Sequence, residues 1–147
     1  MNFILDASVA LLWLAPQSNP AGIDYAASTL NTLRQSQAVV PSLFALEIAN
    51  VISKLESKAL VTEADSQRYI AVLERLNISV DPATAAYALG DTLNLARRYK
   101  LSAYDAAYLE LSLRTGLPLA TLDAGLVKAA TSAGVSIFGP HGSHQRP

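Results

Sequence analysis

The sequence predicts an α/β fold in which helices cover both faces of a parallel sheet. Short apolar segments alternate along the chain with longer segments that have helical spacing. Parallel strands need long crossover connections, which are usually helices, so this alternation favours parallel strand pairing. Two of the short segments, 2–5 and 117–122, are each followed directly by an aspartate and then by a helical pattern. Ligands bind at this kind of strand end in open α/β sheets.

The first half of the chain begins with the apolar run 2–5, which predicts a buried strand. A helix over 7–15 follows, and Pro16 ends it because proline cannot continue a helix. Thr62 and Asp65 have the spacing of a capping box, with aspartate replacing the usual glutamate. The remaining elements predicted here are a helix over 21–36, a strand over 37–40, a helix over 42–58 and a helix over 63–76.

The second half continues the alternation and adds three more strands. Gly116 suits the C-cap of the helix before it, since glycine readily adopts the left-handed conformation found there. The predicted elements are a strand over 77–81, a helical pattern from 82 to 99, a helix over 102–115, a strand over 117–122, a helix over 124–133 and a strand over 134–138. The chain therefore contains about five short strands.

The composition predicts one compact domain. Of the 147 residues, 51% are hydrophobic and only 16% are charged, which is typical of a globule with a real core. We expect a single domain over 1–139 and a flexible C-terminal tail over 140–147, where His141 and His144 lie. Because there is no cysteine, disulfides and thiolate metal sites are excluded, and a cytoplasmic protein is expected.

The hydropathy pattern argues against a membrane-spanning segment, and the net charge gives no indication of nucleic-acid binding. The longest apolar stretch near the start, 9–15, is far too short to span a bilayer, so no membrane association is expected. The net charge of −1 gives no global signal for nucleic acid. If several acids gather in one pocket, however, the rest of the chain has a small positive excess, which is compatible with a phosphate-bearing substrate.

Four carboxylates are candidates for a functional site. Asp6 and Asp123 stand at the carboxyl ends of predicted strands, although each alone is also explained as a helix N-cap. Glu47 shares a helical stripe with Asn50, and the simpler interpretation is an ordinary polar face. Asp105 lies in the mostly apolar stretch LSAYDAAYLEL and is predicted to point inward, on the side of Tyr108.

The same helical geometry places Glu110 and Arg114 on the side opposite Asp105, where they predict a solvated stripe. An inward carboxylate needs a cation or hydrogen-bond donors. Two carboxylates about 5 Å apart repel by roughly 3 kcal/mol at an effective dielectric constant of about 20. Four converging acids would therefore require a divalent cation, and an all-oxygen set suits Mg²⁺ or Mn²⁺ and not zinc.

At these residues the sequence resembles the PIN-domain nucleases, and most closely the VapC-like toxins of toxin–antitoxin pairs. The resemblance covers residues 2–138. FILDASVAL is similar to the opening strand of the family, and PSLFALEIANVI is similar to its second motif. The most specific segment is LSAYDAAYLELSLRTGLPLATLDAGLVKAA, which contains the third and fourth acids.

The resemblance implies a three-layer α/β/α sandwich around a mostly parallel sheet and a metal-dependent endoribonuclease activity on RNA. Asp6 and Asp105 would be the main Mg²⁺ ligands, and Glu47 and Asp123 would complete the catalytic pocket. Three residues, identified by the same motifs, would support these acids: Ser8, Asn50 and Thr121. A cognate VapB-like antitoxin and a homodimer are also implied.

Other interpretations stay open at this point. The main alternative is a non-catalytic PIN-like module that binds RNA or a protein. An aspartyl-phosphate phosphohydrolase is disfavoured, because DAS lacks a second aspartate two residues after Asp6. RRYK, at 97–100, is either a phosphate contact or a solvated helix end. Leu12, Trp13 and Leu14, with the helix over 21–36, form either an antitoxin groove or part of the core.

Overall fold

The computed structural model describes residues 1–139 and contains a fully parallel four-stranded sheet. The strands are β1 (Phe3–Leu5), β2 (Ala38–Val40), β3 (Ile78–Val80) and β4 (Leu119–Ala120). Their spatial order is β3-β2-β1-β4, so β1 lies between β2 and β4. All three residues of β1 are completely buried, as in a strand covered on both faces. The predicted α/β fold is confirmed.

The predicted fifth strand over 134–138 is reduced to a single bridge. Ile137 pairs in parallel with Leu119, and no further residue of this segment joins the ladder within the described part of the chain. The hydroxyl of Tyr25 donates to the carbonyl oxygen of Phe138, so that oxygen faces a helix side chain and not a strand. The Phe138 ring stacks on Phe3 with centroids 4.1 Å apart. Phe138 is therefore held by contacts with Tyr25 and Phe3 directly after the single bridge.

Eight α-helices of residues 1–139 flank the sheet. They are α1 (Ala7–Ala10), α2 (Ile23–Thr32), α3 (Phe44–Ser57), α4 (Glu63–Arg75), α5 (Thr84–Tyr87), α6 (Leu93–Tyr99), α7 (Ala103–Thr115) and α8 (Ala124–Ser132). Two predicted helix ends are confirmed. Thr62 and Asp65 form a reciprocal capping box at the start of α4, and Gly116 ends α7 with a left-handed φ of 74°.

Two predicted helices are interrupted. The helix expected over 7–15 becomes α1 followed by a 3₁₀ turn, Leu11–Trp13, whose tryptophan donates its indole N–H to the Ala26 carbonyl 2.8 Å away. The helical pattern from 82 to 99 is divided by a π-helical segment, Ala88–Thr92, between α5 and α6. Such segments insert an extra residue into the helical ladder, and periodicity alone does not reveal them.

Helix α7 runs through the centre of the molecule, and seven consecutive residues, 106–112, are buried. The predicted solvated stripe on this helix is wrong, because α6 and the π-helical segment pack against that side. Glu110 is only 4% exposed and accepts hydrogen bonds from Arg114 at 2.7 and 3.0 Å. Arg114 also donates to both carboxylate oxygens of Asp81, at 2.6 and 3.1 Å.

A search for membrane-spanning segments among residues 1–139 finds no helix that combines the length and the apolar character needed to cross a bilayer. The predicted tail over 140–147, with its two histidines, lies outside the described residues.

Candidate active site

The two strand-end aspartates meet because β1 and β4 are neighbours in the sheet. Leu5 is in register with Ala120, and the amide of Asp6 donates to the Ala120 carbonyl at 2.9 Å. The parallel strands thus deliver Asp6 and the segment leading to Asp123 to the same carboxyl edge. This juxtaposition follows directly from the sheet topology.

Asp6 is held by hydroxyl groups and does not cap α1. Its side chain is 4% exposed and makes no capping hydrogen bond to the helix. Its Oδ2 instead accepts from Ser8 Oγ at 2.6 Å and from Thr121 Oγ1 at 2.7 Å. Burial raises the pKa of Asp6, the Asp123 charge adds to this increase, and the two hydroxyls oppose it.

Ser8 and Thr121 also fix the loop after β4. Ser8 Oγ accepts from the amide of Leu122 at 3.0 Å, and Thr121 Oγ1 accepts from the amide of Asp123 at 3.1 Å. Each hydroxyl therefore donates to Asp6 and accepts a backbone N–H. These contacts join α1 to the β4–α8 connection and place both hydroxyls against Asp6. The supporting role of Ser8 and Thr121 stays a prediction.

Asp123 is exposed and does act as the N-cap of α8. Its Oδ2 accepts from the amide of Leu126 at 2.8 Å. The sequence allowed both strand-end aspartates to be helix N-caps. In the structure, only the Asp123 side chain of these two makes a capping hydrogen bond. A cap engages one carboxylate oxygen, so Asp123 can still present its other oxygen to a ligand.

Glu47 approaches the cluster from α3 and is half-buried. Its Oε1 accepts from the hydroxyl of Tyr108 at 2.5 Å. Burial raises the pKa of Glu47, and the charges of Asp6 and Asp105 add to the increase. Tyr108 was not among the predicted site residues, although its position three residues after Asp105 places both on one side of α7.

Asp105 lies in the first turn of α7 and is also half-buried. Ser102 caps this helix by accepting from the amide of Asp105 at 3.0 Å. Burial raises the pKa of the Asp105 carboxyl, and the charges of Asp6 and Asp123 raise it further. The charges of Asp6 and Asp123 affect the pKa of Asp105, and those of Asp6 and Asp105 affect the pKa of Glu47, so the four carboxylates lie within electrostatic range of one another.

The cluster has no built-in counter-charge. In the part of the chain that the structure describes, none of the four carboxylates forms a salt bridge with Lys or Arg. Asn50, predicted to support Glu47, is exposed, and its side chain makes no hydrogen bond to any of the residues 1–139. Arg97, Arg98 and Lys100 of the RRYK segment are exposed as well. A phosphate contact by that segment stays a prediction.

The PIN domain model matches residues 3–131, which is most of the chain. The chain belongs to the PIN domain family. Ribonuclease VapC3 from Pyrobaculum aerophilum is 27% identical to this PIN domain over 128 residues, which are 87% of this chain and 94% of that protein. The predicted resemblance to PIN-domain ribonucleases of the VapC type is confirmed.

Two solved structures have the same fold as this PIN domain. PAE2754 from Pyrobaculum aerophilum superposes with a TM-score of 0.61 at 22% identity, covering 88% of this chain and 87% of its own. VapBC2 from Rickettsia felis, bound to a DNA fragment from its promoter, superposes with a TM-score of 0.61 at 15% identity, covering 87% and 92%. These similarities confirm the α/β fold with a parallel sheet flanked by helices.

The donor set of this PIN domain fits a hard divalent cation by its chemistry. All four side chains are carboxylates, which Mg²⁺ and Mn²⁺ prefer over the nitrogen and sulfur ligands typical of zinc. Among residues 1–139, no group of three or more Asp, Glu or His side chains is arranged to hold a metal ion. Mg²⁺ does not require such a cage, because it usually keeps several waters and binds one or two carboxylates together with substrate phosphates.

Proposed function

We propose that this PIN domain is a metal-dependent endoribonuclease toxin that hydrolyses RNA phosphodiester bonds. The observation that carries the proposal is the proximity of four carboxylates that form no salt bridge with Lys or Arg among residues 1–139. Three of them, Asp6, Glu47 and Asp105, have a raised pKa, mainly because of burial, and the charges of other acids in the cluster raise each pKa further. Such a cluster is stabilised by a divalent cation, and a phosphate bound there completes the cation's coordination.

Asp6 and Asp105 would be the main ligands of the ion, with Glu47 and Asp123 completing the pocket, partly through water. When bound, Mg²⁺ or Mn²⁺ neutralises phosphate charge and lowers the pKa of water, which is the chemistry that phosphodiester hydrolysis needs. Ser8 and Thr121 orient Asp6 and exclude water from its buried oxygen. Asp123, at the exposed rim, would orient the attacking water or the substrate.

The proposal includes a protein partner and a second copy of the chain. A cognate VapB-like antitoxin would block the acidic site, and two copies would form a homodimer, as the resemblance implies. Leu12 belongs to the core, whereas Trp13 and Leu14 line a cavity of about 530 Å³ together with Leu30. This cavity supports the part of the predicted antitoxin groove that Trp13, Leu14 and α2 form.

The activity is tested with purified protein and single-stranded RNA in the presence of Mg²⁺, Mn²⁺ or EDTA. We expect cleavage with either metal, none with EDTA, and loss of cleavage in Asp6→Asn and Asp105→Asn. Asp24→Asn is the matched control, because Asp24 is an exposed first-turn aspartate of α2, outside the site. Cleavage that is unchanged in both site variants would contradict the mechanism.

A metal titration separates this proposal from the non-catalytic alternative. Wild-type protein should bind Mn²⁺ and Asp105→Asn should bind it more weakly. A pure binding module would bind RNA without cleaving it and would not show this difference in Mn²⁺ affinity.

The proposed antitoxin and homodimer have their own tests. Co-production with the product of the adjacent gene should yield a defined complex without nuclease activity, and sedimentation should give the mass of a dimer.

A further inference from the structure

Tyr108 connects the interior of the protein to the acidic cluster. It lies in the buried run of α7 and is itself 0% exposed, packed within the hydrophobic core. Its hydroxyl donates a hydrogen bond to Oε1 of Glu47 on α3. A tyrosine hydroxyl is protonated at neutral pH and a carboxylate can only accept, so the direction of this hydrogen bond is unambiguous.

We propose that Tyr108 is a positioning residue that holds Glu47 as a one-oxygen ligand of the divalent cation. This inference rests on the proposed metal-dependent activity and deepens it. Because Oε1 accepts a hydrogen bond from a hydroxyl that the core holds in place, Oε2 has more free lone pairs, and coordination of the cation or its waters through Oε2 is favoured. The orientation of Glu47 is thereby fixed by the packing of α7 and not by its own flexible side chain.

A parallel arrangement at Asp6 supports this role. Ser8 and Thr121 both donate to Oδ2 of Asp6, so this carboxylate also has one oxygen engaged by protein hydroxyls. The two carboxylates come from different parts of the chain, and their three hydroxyl donors come from three different parts. In both carboxylates, however, protein hydroxyls engage one of the two oxygens. In each acid the hydrogen bonds favour coordination through the other oxygen, and coordination through one oxygen suits the strict octahedral shell of Mg²⁺.

The arrangement predicts that the site binds Ca²⁺ less well than Mg²⁺ or Mn²⁺. Ca²⁺ is larger, takes six to eight oxygens and often binds carboxylates through both oxygens. Binding through both oxygens of Glu47 would require Oε1 to serve the cation and the Tyr108 hydroxyl together, which disfavours this mode. Removal of the Tyr108 hydroxyl would release Glu47, weaken its alignment for Mg²⁺ or Mn²⁺, and improve the relative binding of Ca²⁺.

The test compares Tyr108→Phe with Tyr69→Phe. Phenylalanine keeps the ring and its packing, so both variants remove only a hydroxyl. Tyr69 is the matched control, because it is also buried, and its hydroxyl donates at 2.7 Å to the backbone carbonyl of Ala10, outside the carboxylate cluster. Thermal unfolding checks the fold of each variant, and calorimetric titration with Mn²⁺ and with Ca²⁺ measures cation binding.

We expect Tyr108→Phe to weaken Mn²⁺ binding about 10-fold, within the range found when residues that orient a metal ligand are replaced. The preference for Mn²⁺ over Ca²⁺ should fall, the Mg²⁺ concentration for half-maximal cleavage should rise, and the KM for RNA should stay unchanged. Tyr69→Phe should lower thermal stability without changing either cation affinity. In a Glu47→Ala background, Tyr108→Phe should have no further effect on Mn²⁺ binding.

Wild-type Mn²⁺ affinity in Tyr108→Phe, or equal weakening by Tyr69→Phe, would overturn the inference and leave the proposed nuclease function intact. An additional loss of Mn²⁺ binding in the Glu47→Ala background would also overturn it, because Tyr108 would then act through another residue. Wild-type protein that neither binds Mn²⁺ nor cleaves RNA would overturn the proposed function and this inference together.

Discussion

The two ends of helix α7 carry carboxylates in opposite electrostatic settings. Near its C-terminal end, Glu110 and Asp81 share the guanidinium of Arg114, which also lies 4.3 Å from the centre of the Tyr87 ring. Near its N-terminal end, Asp105 faces other carboxylates and no cation among residues 1–139. The hydrogen bonds from Arg114 lower the pKa of Asp81, whereas burial raises that of Asp105.

This difference shows that the fold can supply a cation to buried acids and does so where the acids are structural. At the other end it supplies hydroxyl donors, which orient carboxylates without neutralising them. A hydroxyl leaves the negative charge available to a ligand, and an arginine does not. The comparison therefore favours an external cation at the Asp105 end, and the following predictions are arranged around it.

The largest effect on stability is expected at the paired end. Arg114→Met should lower the free energy of unfolding by about 3 kcal/mol, because it leaves Asp81 and Glu110 buried without their partner. Chemical denaturation measures this change. Lys128→Met, at an exposed position on α8, is the control and should change stability little. A loss below about 1 kcal/mol would mean that water compensates both acids and that the two ends are alike.

At the unpaired end, Asp105→Asn should have the reverse profile. RNA cleavage should fall more than about 100-fold, the upper range for residues that merely orient a metal ligand. In EDTA the variant should be as stable as wild type or melt a few degrees higher, since it removes mutual repulsion among buried charges. A cleavage assay measures the loss of activity, and calorimetry in EDTA measures the melting temperature. Collapse of the fold would identify Asp105 as a structural carboxylate.

A smaller effect is expected when a hydroxyl donor is removed. Thr121→Val keeps the side-chain shape but removes one donor to Asp6 and one acceptor for the amide of Asp123. We expect cleavage to fall about 10-fold with little change in KM for RNA. The exposed Thr131→Val on α8 is the control, because its hydroxyl bonds only a helix carbonyl. Equal activity of both variants would show that Asp6 needs no such orientation.

The smallest effect is a difference in pH dependence. The pKa of Asp81 is lowered in the folded protein, so its contribution to stability is present at neutral pH and is lost as the pH falls through the folded-state pKa. The pKa values of Asp6, Glu47 and Asp105 are raised, so the metal-free protein should gain stability as the pH falls from neutral toward them.

Melting temperatures in EDTA from neutral to acidic pH measure the two slopes. Asp81→Asn should reduce the loss at low pH, and Asp105→Asn should reduce the gain on mild acidification. If Asp81→Asn reduced the gain and Asp105→Asn reduced the loss, or if both variants gave the same melting curve against pH, the two ends of α7 would not differ as described.

Much of the fold could be predicted because strand and helix patterns are local. The capping box at Thr62 and the C-cap at Gly116 depend on neighbouring residues in the sequence. The alternation of strand and helix patterns is also local, and it favours parallel pairing. The reduction of the fifth strand to one bridge could not be predicted, since its pairing partner in β4 and the Tyr25 hydroxyl that contacts Phe138 are not its neighbours in the sequence. The split of the 82–99 pattern likewise leaves no clear trace in hydrophobic periodicity.

The prediction of a solvated stripe at the C-terminal end of α7 was wrong for a related reason. A helical wheel assigns Glu110 and Arg114 to a polar side, but it does not reveal that another part of the chain covers this side or that Asp81 completes the ion pairs. At the site, strand ends indicated Asp6 and Asp123, and helical geometry indicated that Asp105 points inward. Only the family resemblance distinguished Glu47 from an ordinary polar face. Tyr108 was missed because a tyrosine in an apolar run predicts core packing, and its hydroxyl direction depends on α3.

The continuous burial of residues 106–112 also affects how the molecule opens. Amide protons in such a segment exchange with solvent only when the whole domain unfolds, whereas short or exposed elements open locally. Tyr108 lies within this segment and Asp105 directly precedes it, while Ser8 belongs to the four-residue helix α1 and Asp123 to an exposed loop. We expect deuterium uptake to be slowest at α7 and faster around Ser8 and Asp123, so that one wall of the pocket persists while the other fluctuates.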